Sequence, residues 1–311
     1  MIQQKILSID ATILNTFQSC ARKTKYSFID NIRPVEKEES LERGDLIHKM
    51  LEVYYSLQLK NFDFDTEVWK EIISSGLALK DHQTSVPNLT SHQDIVSFSV
   101  QVGRYFSTKM DLPSEEIDES IYQFKEYCNY YQHDSWSPLA VEEVGSKILF
   151  ENEDYKFIYN FKVDLVAEKG NIIAPFDHKT SKRRVEPTSL SNQFIGYCYG
   201  LGMNNIVVNK IGFQKTLSPA QRFNRYILTI DDERINEWIN NTTYWCTQLI
   251  AARESGTWPM NLTSCDKYSG CIYSSLCETD PDSRLYKIER DFKIGEDWDV
   301  AKRLETKEVR A

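Results

Sequence analysis

No stretch of this 311-residue sequence approaches the ~20 consecutive apolar residues that a bilayer span requires, so no membrane helix is expected. The opening run, Met1-Ile-Gln-Gln-Lys-Ile-Leu-Ser-Ile-Asp10, lacks both a long apolar core and a small-residue cleavage site. That argues against a secretory signal and for a cytoplasmic, reducing setting, where cysteines are metal ligands or buried thiols more often than disulfides. Internal repeats and low-complexity linkers are missing too, which leaves one sizeable domain or a core with a helical insertion. A basic excess is also lacking: 37 Lys and Arg face 46 Asp and Glu, for a net charge of −9. This excludes a protein that coats nucleic acid, because phosphate neutralisation needs basic groups. It leaves room for local contact around a carboxylate-rich centre. Lys179, Lys182, Arg183 and Arg184 form one such basic cluster. Lys210, Lys215, Arg222 and Arg225 form a looser one that reads equally well as solvated surface charge.

What is present is ordinary globular material, 41% hydrophobic and 12% aromatic. Ile13, Leu14 and Phe17 recur at helical spacing after Asp10, predicting a helix to about Ile29 with Cys20 near its end. Residues Leu41 to Leu59 carry a broad apolar stripe, Leu46, Ile47, Met50, Leu51, Tyr54 and Leu57, and predict a second helix. From Thr66 to about Tyr131 the pattern is mostly helical, with polar loops near Ser85–Ser91 and Leu112–Glu115. Strand-like runs follow at Leu139–Val144, Lys147–Phe150, Lys156–Ala167, Asn171–Thr180, Ile206–Gln214 and Arg225–Thr229. Helices are predicted at Leu190–Leu201 and Asp231–Ser255. The expected fold class is α/β, a central mixed sheet flanked by helices with an N-terminal helical region.

Lys156 to Thr180 is the most informative segment. Gly170-Asn171 suits a two-residue hairpin turn, which pairs Lys169 with Ile172 and sets Asp164 opposite Asp177. Directly opposed side chains sit roughly 4.5–5.5 Å apart at Cβ, and like charges placed so are destabilising. A divalent cation between them removes the conflict. Asp177 and Lys179 share a face of their strand. His178 points the other way, with its backbone carbonyl still able to reach a metal. Two acids and an ammonium on one face suit phosphodiester hydrolysis: metal chemistry on the phosphate, with the amine orienting water or stabilising developing charge. The bland reading is a solvent-facing hairpin with surface charges. Pro175 removes a ladder donor and predicts a bulge or an edge position.

These residues resemble a known family. Phe161-Lys162-Val163-Asp164-Leu165-Val166 followed by Phe176-Asp177-His178-Lys179-Thr180 is similar to the paired "iDli … DyKT" runs of RecB-type PD-(D/E)xK nucleases. Gly44 to Glu52 resembles their G-x-x-x-H-x-x-x-E helix, and Gln193 to Tyr197 their Q-x-x-x-Y helix. The resemblance implies a restriction-endonuclease-like core. It implies His48 as a metal ligand beside Asp164, Asp177 and the His178 carbonyl, with Mg²⁺ or Mn²⁺ bound. It makes Lys179 catalytic, Gln193 and Tyr197 DNA-binding together with Lys182–Arg184, and Glu52 and Glu142 supporting residues. Departures are Lys162, where a glycine is usual, and Phe176, where a β-branched residue is usual.

Cys20 stands alone, while Cys265, Cys271 and Cys277 lie together. One plus three thiolates meets the requirement of a [4Fe–4S] cluster, and the layout resembles iron–sulfur nucleases of the AddB, exonuclease V and CRISPR-adaptation kinds. A Cys₄ zinc site is the rival, and unrelated buried thiols a second. The first spacing departs from the family, with five residues between Cys265 and Cys271. Cys128, Cys198 and Cys246 read as packing residues. Residues 1–280 are thus expected to form a nuclease domain, with a helical insertion at about 60–135, a core at about 136–255 and a cluster segment at 258–280; residues 281–311 are a charged tail. The expected activity is a single-strand DNA exonuclease with DNA as partner and no membrane. The competing reading is a non-catalytic nucleic-acid-binding module that keeps the fold with an iron–sulfur or zinc site; an RNA-directed or structure-specific nuclease is a further one.

Overall fold

The computed structural model describes residues 4–35, 39–59, 70–72, 74, 89, 91–181, 186–266 and 270–295. A mixed sheet lies between two helical layers. Its strands are β1 (Lys5–Ile9), β3 (Ser137–Glu151), β4 (Tyr155–Lys169), β5 (Ile172–Ser181), β6 (Asn205–Gly212) and β7 (Phe223–Thr229). A separate two-stranded ribbon joins β2 (Ile32–Pro34) to β8 (Phe292–Ile294). Among the described residues no helix is long and apolar enough to cross a membrane.

The chain opens with an unanticipated strand, β1, parallel to β4. Asp10 then caps α1 (Ala11–Ser19) by accepting the Ile13 N–H at 2.8 Å. The helix expected to run on to Ile29 stops at Cys20, which is extended at φ −164°, ψ 115°. A short α2 (Ala21–Thr24) and a π-helical turn (Lys25–Ile29) follow. The cause lies far along the chain. Asn261 Nδ2 donates to the Ser19 carbonyl at 2.8 Å, and the Arg22 N–H bonds the Pro259 carbonyl at 3.2 Å. Distant partners take the backbone groups that a continuous helix would have used.

Helix α3 (Glu39–Ser56) buries Leu46, Ile47, Met50, Leu51 and Tyr54, as its stripe demands. It packs with α4 (His92–Ser107), started by a Ser91/Asp94 capping box, and α5 (Ser114–Tyr130) on one sheet face. Of the expected 60–135 insertion, residues 60–69, 73, 75–88 and 90 fall outside the described residues; these two helices make up most of the part that is described. On the other face lie α1, α6 (Asn192–Leu201) and α8 (Asp232–Ser255), while α7 (Pro219–Arg222), a single turn before β7, contacts α5.

The two expected strands at 139–150 are one continuous β3, with register shifts at Pro138/Ala140 and Ile148/Phe150. Gly145 lies against the Phe161 ring, where a Cβ would collide, so it serves strand contact and not a turn. The Gly170 turn, at φ 59°, sets β4–β5 in the expected register, Lys169↔Ile172 through Leu165↔Phe176. Pro175 makes no bulge, but it stands at a local edge, on the β6 side of β5 just before the β5–β6 ladder starts. β5 is internal, and its β6 ladder begins at Phe176↔Val207, one residue past the proline. Leu190, expected inside a helix and packed, precedes α6 and is exposed.

β4 is the hub. β3 occupies one of its edges from residue 156 to 168. The other edge is shared: β1 pairs at 155–159 and β5 at 165–169. Between them, among the described residues, β4 has a stretch without a strand partner on that edge, ending at Asp164. Its faces also switch there. Phe157, Tyr159, Phe161 and Val163 pack toward α6 and α8, whereas Leu165 and Ala167 pack toward α3.

Candidate active site

The site lies where β4 and β5 part. Their last pair is Leu165↔Phe176, and the next residues outward are Asp164 and Asp177. Beyond that point the strands splay. The His178 N–H donates to Asp164 Oδ2 at 2.6 Å, so a side chain fills the place of a ladder bond. The two acids that the register reasoning pairs are thus neighbours in the structure, though the ladder itself ends one step before them.

From α3, His48 places Nδ1 3.6 Å from Asp164 Oδ1. On β5, Lys179 Nζ donates to Asp177 Oδ1 at 3.1 Å and to Gln193 Oε1 at 2.9 Å. Gln193 in turn donates to the Tyr197 hydroxyl at 2.7 Å. The acids have opposite electrostatics. Burial pushes the Asp177 carboxyl up to about 6, with Lys179 opposing and Asp164 adding to the rise. Burial also works to raise Asp164, but the charge and hydrogen bond of His48 and the approach of His178 outweigh it and hold this acid below its usual range. Burial would lower His48; its two acid neighbours, Asp164 first, raise it instead.

Behind the site, on the α3 side, His178 is buried and stacks on Tyr55 at 5.6 Å. Arg225 Nε can only donate, and it meets Asn209 Oδ1 at 3.3 Å. That orients the amide, so Asn209 Nδ2 donates to His178 Nδ1 at 2.8 Å and to the Tyr127 hydroxyl at 2.9 Å. Nδ1 is therefore the bare nitrogen of His178, and burial holds this imidazole down at about 3. Arg225 completes the network with Asp134 at 2.7 Å and with the Tyr55 and Tyr127 hydroxyls. Sequence reasoning missed Asn209, Arg225, Tyr55 and Tyr127 as support. The readable signal was Asn209 itself, an amide directly after the apolar run Ile206-Val207-Val208 in a strand.

Other expected residues are placed differently. Tyr197 is 4% exposed, so it holds Gln193 and does not itself meet a strand of DNA. Lys182, Arg183 and Arg184 lie outside the described residues. In the looser basic group, Arg222 and Arg225 are turned inward to Glu126 and Asp134, Lys210 is buried, and only Lys215 is well exposed. Glu52 is paired to Lys49, and Glu142 to Lys162. Cys20, Cys265, Cys271 and Cys277 lie near one another. Asn261 links Cys20 and Cys265, its N–H 3.5 Å from Cys20 Sγ and its carbonyl 3.8 Å from Cys265 Sγ. Burial and then the neighbouring thiols, Cys271 and Cys20, raise Cys265. Cys128, Cys198 and Cys246 are buried packing residues, as expected.

Among the described residues no three His, Cys, Asp or Glu side chains converge as a ready-made metal site. His48, Asp164 and Asp177 nevertheless fit one in kind. Asp177 Oδ2 is buried, and among the described residues it meets the Lys179 ammonium at 2.9 Å, off the hydrogen-bonding direction. Two neighbouring carboxylates with one ammonium between them leave negative charge that a bound cation would meet. No curated protein matches the chain. Solved structures do, among them the crystal structure of SSO0001, 14% identical, with a TM-score of 0.33 over 70% of this chain and 97% of that one. A likeness of that degree carries no weight here. The family model of the PD-(D/E)XK nuclease superfamily matches residues 8–278, a span that takes in the fork, its histidine helix and the cysteine segment. The chain belongs to the PD-(D/E)XK nuclease superfamily.

Proposed function

We propose that this chain is a metal-dependent deoxyribonuclease of the RecB-like kind that hydrolyses single-stranded DNA from an end. The observation that carries the reading is the fork: the buried Asp177, the half-buried Asp164 and the Lys179 ammonium gathered where β4 and β5 part. His48, Asp164, Asp177 and the His178 carbonyl hold Mg²⁺ or Mn²⁺, the imidazole favouring Mn²⁺. A cation bound there polarises a phosphoryl oxygen and acidifies its water. Asp164 and Asp177 supply the negative charge. Gln193 holds Lys179 through its amide oxygen, so the ammonium stays beside Asp177, where it orients the attacking water and stabilises charge on the phosphate. Lys182, Arg183 and Arg184 follow the site in sequence and bind the backbone of the strand. Cys20, Cys265, Cys271 and Cys277 hold a [4Fe–4S] cluster, with zinc the rival occupant.

The test is digestion of matched end-labelled single-stranded DNA, duplex and RNA with Mn²⁺ or EDTA. Wild-type protein is expected to shorten the single strand from an end only with Mn²⁺. Lys179→Ala should slow it by about 10²–10³-fold, the usual cost of losing one transition-state donor. Full activity in that variant, or equal activity in EDTA, sinks the assignment. Iron and sulfide assays on the same preparation separate the cluster from zinc.

A further inference from the structure

The apolar stripe of α3 does not by itself fix where His48 stands along the sheet. Leu46, Ile47, Met50, Leu51 and Tyr54 are buried in the core that α3 shares with α4, α5 and the strands. Burial of apolar area is non-directional, so it sets which side of the helix faces inward and leaves the position along the axis to shape and specific contacts. Three such contacts join α3 to β5. Gly44 lets the helix close on the strand, since a Cβ there would come to 3.2 Å of Thr180 Oγ1. His48 lies edge-on to the His178 ring, with centroids 5.9 Å apart and planes at 74°. Tyr55 lies flat on the same imidazole, at 5.6 Å and 14°.

His48 and Tyr55 are seven residues apart, two helical turns, and so share one face of α3 with roughly 10 Å between them along its axis. The His178 ring thus stands against two rings of one helix. That imidazole is itself fixed: its Nδ1 accepts from Asn209 at 2.8 Å, and its backbone N–H donates to Asp164 at 2.6 Å. Tyr55 is held in turn by its hydroxyl, 2.6 Å from that of Tyr127 and 3.3 Å from Arg225 Nη2.

We infer that Tyr55 is a positioning residue for the metal centre: its ring, seated on the face of His178, is the axial stop that keeps His48 at the two acids. The inference rests on the metal-site reading and deepens it. His178 joins the two halves of the site, holding Asp164 by its N–H and α3 by its ring. A slide of α3 in either direction would pull one of its two rings off His178 or drive one into it, and close packing opposes both. His48 Nδ1 accordingly stays 3.6 Å from Asp164 Oδ1, although the two come from separate elements. Ligand sets need such support, because a site held more loosely than about 0.5 Å loses its geometry. Tyr55 is also a core residue, 4% exposed, so loss of its ring costs stability in any case. Ligand geometry is what separates a stop from a space-filler.

The experiment is Mn²⁺ binding to the full-length, chelator-treated protein. Free ion is counted by electron paramagnetic resonance, and spin-echo envelope modulation of the bound ion reads the nitrogen coupling that a ligating imidazole produces. Wild type should show that coupling and His48→Ala should lose it. Tyr55→Leu should lose it too, and with it about 10-fold or more in affinity, as for outer-shell partners of metal ligands. Tyr55→Phe, which keeps the ring and drops the hydroxyl, should keep the coupling. Gly196→Ala, which crowds the Tyr159 ring beneath α6 on the other face of the sheet, should keep it as well. The wild-type coupling in Tyr55→Leu, or its loss in Tyr55→Phe or Gly196→Ala, overturns the inference. Should Tyr55→Leu fail to fold, Tyr55→Met takes its place on the same terms; should neither fold, the coupling in Tyr55→Phe decides. A wild type that binds no Mn²⁺, or shows no nitrogen coupling that His48→Ala removes, brings down the metal-site reading and this inference with it. The other outcomes leave that reading standing.

Discussion

Asp164 and Asp177 are chemically alike, yet the fold separates them. Asp164 accepts the His178 N–H and faces His48, while Asp177 is buried against the Lys179 ammonium. The sign of the pH response follows. The folded-state value of Asp177 lies above its unfolded one, so folding favours the protonated acid. That contribution is complete below the ordinary carboxylate range near 4 and is lost as pH rises through about 6. Glu52, pushed up to about 7, acts in the same direction. Asp164 acts the other way, contributing above its ordinary range and losing that contribution only in stronger acid. Metal-free protein should therefore melt at progressively lower temperature between pH 4.5 and 7, by more than Asp177→Asn does under the same buffers. Mn²⁺ should restore more stability at pH 7 than at pH 5, because below about 6 it competes with the proton on Asp177, and His48 must also be deprotonated to ligate. Thermal melts of both proteins with and without Mn²⁺ measure this. Parallel curves for wild type and Asp177→Asn contradict it.

Strands β5, β6 and β7 place the site from behind. His178, Asn209 and Arg225 are consecutive links across these three strands, and the chain of bonds ends on Asp134 at the exit of α5. Asn209 is fully buried, so Asn209→Ala leaves donors and acceptors of Arg225, Tyr127 and His178 unmet. A loss of about 1–3 kcal/mol in urea unfolding is expected. Mn²⁺ affinity should also weaken by about 10-fold or more, as for outer-shell partners of metal ligands. An Asn209→Ala protein that loses stability but binds Mn²⁺ as before would show that the network packs the sheet without aligning the acids. On the opposite face α6 lies close to the sheet. Gly196 admits the Tyr159 ring where a Cβ would collide, and Gly200 does the same for Phe161. Gly196→Ala should cost about 1–3 kcal/mol by overpacking, read from the same unfolding curves.

At the scale of the whole molecule, residues near the two ends of the described chain are joined twice. β2 pairs with β8, and Tyr273 lies against both, its hydroxyl donating to the Ile32 carbonyl at 2.7 Å and meeting Ser27 Oγ at 3.0 Å. Tyr26, Ile32, Tyr273, Leu276 and Phe292 form a small core there, with Cys271 and Cys277 packed on it. The charged tail, left unassigned by its sequence, thus begins with a structural helix and strand. Phe292→Ala should cost about 3–5 kcal/mol of local stability if that core cannot collapse. It should speed hydrogen exchange at residues 26–34 and 271–294 while leaving the sheet protected. Uniform loss of protection across the sheet would show instead that ends and core unfold as one unit.

The sequence by itself determined what depends on near neighbours. The Gly170 turn fixes the β4–β5 register by counting, and the α3 stripe fixes which side of that helix is buried, because both are set by chain geometry within a few residues. Only the tertiary structure decided the rest. β1 seats itself on β4 some 150 residues away, at Lys5↔Tyr155. Asn261 breaks the first helix at Cys20. Arg225 turns from a surface candidate into a buried anchor, and Glu142 is held in a left-handed bend opposite Asp164. Each of these is chosen by partners that meet only when the sheet closes, and no local period or spacing carries that information.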